Sequence, residues 1–117
     1  MKRTKPVTRD ITPKDWNNFC DEFSREHQSW LANVDVDGEI KTKESPFKKI
    51  SVTKAGKQTK IAIVLDGQSR KSIKYTVDGA THLRVEQDKA GNDQGLEVGT
   101  KSGAKTIVRF INSPLSR

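Results

Sequence analysis

The sequence predicts an α+β domain that is mostly β: one N-terminal helix packed on a curved antiparallel meander, either a bent sheet or a partial barrel of seven or eight strands. Three observations carry that expectation. Helical spacing of apolar residues occurs once, at Trp16, Phe19, Cys20 and Phe23, the i, i+3, i+4, i+7 pattern of a single buried stripe. From Trp30 onward the period falls to two. Turn-forming pairs such as Asp37-Gly38, Asp66-Gly67, Asp78-Gly79 and Ser102-Gly103 then cut the alternating stretches into short strands at near-regular spacing.

The 117 residues suit one domain. It is expected over residues 11–112, after a flexible basic leader (1–10) without apolar periodicity and before a C-terminal tail (113–117). The helix start is marked by four signals. Thr12 is placed as N-cap, Pro13 at the first helical position, and Asp15 in the first turn near the positive end of the dipole. Ile11 and Trp16 are spaced as a hydrophobic staple. The pattern changes near His27–Ser29, where the helix should end.

Trp30, Ala32, Val34 and Val36 form the inward set of the first strand. Asp37-Gly38 is the strongest hairpin signal, because a two-residue type I′ turn needs positive φ at both positions. The return strand, Glu39 to Glu44, is expected to turn Ile40 and Thr42 inward. Ser45-Pro46 should break it before Phe47, Ile50 and Val52 resume an irregular strand. Lys60 to Leu65 is the most apolar strand, with Ala62 and Val64 placed against a second layer. The remaining inward sets are Ile73/Tyr75/Val77, Leu83/Val85, Leu96/Val98 and Thr106/Val108/Phe110.

Several run-in segments resemble a known family. They are Ile11-Thr12-Pro13-Lys14-Asp15-Trp16 with Phe19 and Phe23, then Ser24-Arg25-Glu26-His27-Gln28-Ser29-Trp30-Leu31 and Val34-Asp35-Val36. Leu83-Arg84-Val85-Glu86-Gln87 and Arg109-Phe110 before Ser113-Pro114 complete the set. Together they resemble the bacterial family of unknown function DUF5335 over nearly the whole chain after residue 10. The resemblance implies no activity, substrate or catalytic residue.

Composition narrows the function classes. One cysteine, Cys20, excludes an intramolecular disulfide and fits a reducing compartment. No apolar run approaches the ~18 residues of a membrane span. A cytoplasmic protein is expected, with no membrane partner. Net charge is +7 and unevenly spread: +4 over residues 1–14, −6 over 15–40, and +6 over 41–60, where seven lysines meet one glutamate.

Chemistry-bearing motifs are few. Cys20 and His27 share a helix face but stand two turns apart, about 10 Å, too far to act as a nucleophile pair; Cys20 reads as a core residue. His27 reads as a helix-end residue bonding the last carbonyls, and His82 as a surface residue. Two histidines and one cysteine supply no zinc pattern, and Asp35, Asp37 and Glu39 around Gly38 read as a turn rather than a calcium loop. No phosphate-cradling glycine motif occurs. No catalytic residue, metal or cofactor is expected.

The alternation leaves Lys41, Lys43, Lys60, Lys74, Arg84, Lys105 and Arg109 pointing outward, with Lys48, Lys49, Lys54 and Lys57 at one edge. The expected function is a small, non-enzymatic binding module whose lysine-rich sheet face meets an acidic partner, protein or nucleic acid. A homo-oligomeric accessory protein meeting through sheet edges and the acidic helix is the alternative. A ligand carrier or enzyme with a pocket near His27, Trp30 and Tyr75 is the second.

Overall fold

A computed structural model describes residues 7–67, 71–88 and 90–111 of the chain. It contains one α-helix, α1 (Trp16–Glu26), and eight strands. These are β1 (Val7–Asp10), β2 (Leu31–Val36), β3 (Glu39–Ala55), β4 (Gln58–Asp66), β5 (Ser72–Asp78), β6 (Ala80–Gln87), β7 (Asp93–Thr100) and β8 (Lys105–Phe110). All described pairings are antiparallel, in the order β1-β6-β7-β8-β2-β3-β4-β5. The sheet bends but stays open, with β1 and β5 at its two edges.

The expected helix start is altered in detail. Pro13–Asp15 form a short 3-10 turn before α1, and Thr12 makes no side-chain cap. Its backbone carbonyl accepts from the Asp15 N–H at 2.8 Å instead, so the hydroxyl is not needed there. The Ile11–Trp16 staple is present: both side chains are buried, and the Trp16 indole N–H donates to the Ile11 carbonyl at 2.8 Å. The Ile11 N–H in turn donates to the Leu83 carbonyl, tying the helix entry to β6.

β3 is where the sequence reading fails most. Ser45-Pro46 does not end a strand; the two expected pieces are one 17-residue strand. Phe47 bonds back to Trp30 and Ser29 through its own N–H and C=O. The neighbouring Pro46 nitrogen therefore faces away from β2, and no ladder bond to β2 is lost. A straight strand of that length would run about 56 Å at ~3.3 Å per residue, longer than the 45 Å greatest extent of the molecule. It must bend, and does so at irregular steps beside Glu44 (φ 49°) and between Phe47 and Lys49. Its first half pairs with β2 and its second half with β4.

The bend folds the sheet over, bringing β4 and β5 back across the core from β6 and β7. Ile61, Ile63, Leu65, Leu83, Val85, Leu96 and Val98 fill the space between. The inward residues of β4 are thus Ile61, Ile63 and Leu65, while Ala62 and Val64 lie on the outer face, half-buried, rather than against a second layer. α1 covers β3 where β2 has ended. There the Ser24 hydroxyl accepts from the Ile50 N–H at 2.9 Å, satisfying a backbone donor that has no strand beside it.

Two further expectations are corrected. Ile40 is not inward: the register shift between Val34↔Thr42 and Asp35↔Ile40 turns it to the outer face, 50% exposed. Val7–Asp10, expected as the end of a leader, form β1 along β6. The rest of the expected leader and the tail at 113–117 lie outside the described residues. Asp37 (φ 53°) and Gly38 (φ 89°) both take positive φ, as the hairpin signal requires.

Candidate functional site

None of the seven expected face residues is buried, but the folded-over sheet divides them. Lys60 and Lys74 lie on the outer face of β4 and β5. Arg84, Lys105 and Arg109 lie on the outer face of β6 and β8, which looks the opposite way. Lys41 and Lys43 are exposed near the β2–β3 hairpin.

The two arginines are held by carboxylates in cross-strand rows. One row runs Asp10, Arg84, Glu97 across β1, β6 and β7; Arg84 Nε stands 2.6 Å from Asp10 and its Nη1 3.5 Å from Glu97. The other runs Glu86, Gly95, Arg109. Because Gly95 has no side chain, Arg109 reaches over it to Glu86 at 3.7 Å. The hydrogen bond to Asp10, and next the Asp10 charge, hold the Arg84 guanidinium above its ordinary range. Lys41 ion-pairs with Glu39 at 2.9 Å. This side of the sheet is charge-balanced.

The exterior of β3, β4 and β5 differs. Its rows read Lys49–Val64–Lys74, Ser51–Ala62–Thr76 and Thr53–Lys60–Asp78. Lys49 and Lys74 flank Val64 two strand spacings apart, about 10 Å, and neither pairs with a described acid. Lys60 meets Asp78 at 3.7 Å, a half-exposed contact of little strength. Over the described residues of 39–78 nine lysines face four acids. All seven aromatic side chains are buried or packed against the core, so none projects from this face.

Sequence reasoning missed the environment of His27. It caps the end of α1, is 2% exposed, and lies among Phe23, Trp30 and Phe110, with ring centroids 4.1, 4.5 and 5.1 Å away. These rings fill the space where a pocket near His27 and Trp30 was one expectation. The His27 Nδ1 bonds the Phe23 carbonyl at 2.8 Å, as a helix-end role requires, and Nε2 faces Asp93 Oδ2 at 3.0 Å. Asp93 opens β7, far along the chain, so spacing gave no signal for this pair. The Tyr75 hydroxyl bonds Thr42 inside the sheet. His82 is exposed, as expected.

Cys20 is buried in the helix stripe. Burial first, and the adjacent Asp21 charge second, push its thiol up to about 12, a poor state for a nucleophile. Among the described residues no helix is long and apolar enough to cross a membrane.

No curated protein and no solved structure matches the chain. The model of a family of unknown function (DUF5335) matches residues 7–116, nearly the full length, and the chain belongs to that family.

Proposed function

We propose that this protein is a non-enzymatic binding module that holds an acidic macromolecule against the outer face of β3, β4 and β5. Lys49, Lys60 and Lys74 supply the contacts. Lys43, Lys54 and Lys57 add to the local field. The observation that carries the reading is the segregation of charge between the two exteriors. Acids neutralise both arginines on the β6–β8 side, whereas the β3–β5 side presents lysines over small residues with two weakly engaged acids, Asp78 at 3.7 Å from Lys60 and Asp66 at 3.9 Å from Lys48.

Such a face recognises a phosphate or carboxylate array by charge. With every aromatic turned inward, it offers no platform for stacking unpaired bases. A duplex backbone or heparin therefore suits it better than a single strand. Binding to duplex DNA and heparin across a salt series, with Lys49, Lys60 and Lys74 changed to glutamate, tests the reading; no binding at low salt refutes it.

Self-association is the second reading, supported by the outer edges of β1 and β5, along which no described strand pairs. A mass that rises with concentration in sedimentation, with no polyanion binding, would establish it in place of the first.

A further inference from the structure

We propose that Glu26, His27 and Asp93 form a binding site for a divalent transition-metal ion of the zinc type. One ligand atom from each of the three residues lies within 4.8 Å of the other two, and the ligands proposed are His27 Nε2, which faces Asp93 at 3.0 Å, and one carboxylate oxygen from each acid.

Hydrogen-bond roles fix where the protons of His27 stand. The Phe23 carbonyl only accepts, so His27 Nδ1, at 2.8 Å from it, carries the hydrogen. In the neutral ring Nε2 is then a bare lone pair. It faces Asp93 Oδ2, a second acceptor, at 3.0 Å. Two acceptors at that distance repel unless a cation lies between them. Glu26 adds a further carboxylate, and no described lysine or arginine ion-pairs with Glu26 or Asp93. One imidazole and two carboxylates make a donor set for zinc and its neighbours rather than for magnesium or calcium.

The surroundings are those of a held ligand set. The Nδ1–H bond to the carbonyl fixes the ring and its tautomer, and Gln87 Nε2 donates to the other Asp93 oxygen at 2.9 Å. Tetrahedral bonds of about 2.0–2.1 Å place neighbouring ligand atoms about 3.3 Å apart, so the 3.0 Å Nε2–Oδ2 spacing needs little rearrangement. Phe23, Trp30 and Phe110 close the site on one side. Glu26 is exposed, which leaves the remaining coordination position to solvent. The rival occupant of the gap is a proton, which would make His27 an imidazolium.

The test is calorimetric titration of the full chain with Zn²⁺, reversed by EDTA, together with long-range ¹H–¹⁵N spectra of the His27 ring. The expected result is one equivalent bound, with Nε2 lacking a proton in the zinc form. Glu26→Gln, an exposed change that leaves the core intact, and Asp93→Asn should each weaken binding at least about tenfold, while His82→Asn leaves it unchanged. Absence of zinc binding overturns the proposal. So does binding that is indifferent to both carboxamide variants, or a His27 ring that keeps both protons at saturating zinc.

Discussion

Replacing Gly95 with alanine should be among the most damaging small changes in the chain, while the same change at Gly99, on the same face of the same strand, should be tolerated. A Cβ on Gly95 would stand 2.1 Å from the Val108 carbonyl oxygen and 3.0 Å from the Arg109 Cα, both of them backbone atoms of β8. Reaching even 3.0 Å from that oxygen requires the two strands to part by about 0.9 Å. That opening stretches or breaks one or two buried ladder bonds. At about 1–3 kcal/mol for each, the cost is about 1–6 kcal/mol. With ~2.1 cal/mol/K of unfolding entropy per residue, a domain of this size loses about 4–24 °C in Tm. At Gly99 the nearest atom is the His82 ring at 3.5 Å, an ordinary contact, so Gly99→Ala should change stability by less than about 1 kcal/mol. Thermal and denaturant unfolding followed by circular dichroism measures both. A Gly95→Ala protein as stable as wild type, or a Gly99→Ala protein equally damaged, would refute the reasoning.

Other outcomes follow from the same structure. Cys20 should resist thiol reagents at pH 8 in the folded protein and react on unfolding. Because its folded pKa is raised, to about 12 from 9.0, its contribution to stability is complete below about pH 9 and lost as pH rises towards 12. The alkaline loss in wild type should exceed that in Cys20→Ala by up to about 4 kcal/mol, and equal pH dependence would contradict the assignment. Phe23 lies between Phe47, Phe110 and the His27 ring, so Phe23→Ala should cost about 3–5 kcal/mol in denaturant unfolding. A loss below 1 kcal/mol would mean that this aromatic cluster is not the anchor of the helix.

Much of the fold was legible because alternation and turn chemistry are local. The stripe of α1, the Asp37-Gly38 hairpin and the inward sets of β5 to β8 are each decided by residues within a few positions of one another. The failures are non-local. β1 has no apolar alternation of its own, since it is an edge strand held by backbone pairing to β6. Pro46 reads as a breaker until the direction of its missing N–H is known, and Ile40 reads as inward until the bulge beside it is seen. The eight strands fall within the expected seven or eight only because merging two pieces into β3 offsets the strand missed at β1. Of the charged face, outward direction was legible but grouping was not, because only the fold-over at β3 separates Lys60 and Lys74 from Arg84 and Arg109. The His27–Asp93 pair joins a helix end to a distant strand, a contact that no spacing rule reports.

The most direct test of the proposed function is the salt dependence of duplex DNA binding by wild type and by a Lys49→Glu, Lys60→Glu, Lys74→Glu triple variant. Three phosphate contacts give a slope of about −2.7 in log K against log salt, or about 40-fold weaker binding at 200 mM than at 50 mM. The wild type is expected to show that slope, and a folded triple variant to lose measurable binding. Undetectable binding at 50 mM salt, or a slope that survives the three substitutions, would contradict the proposed function and leave those lysines a solvating role only.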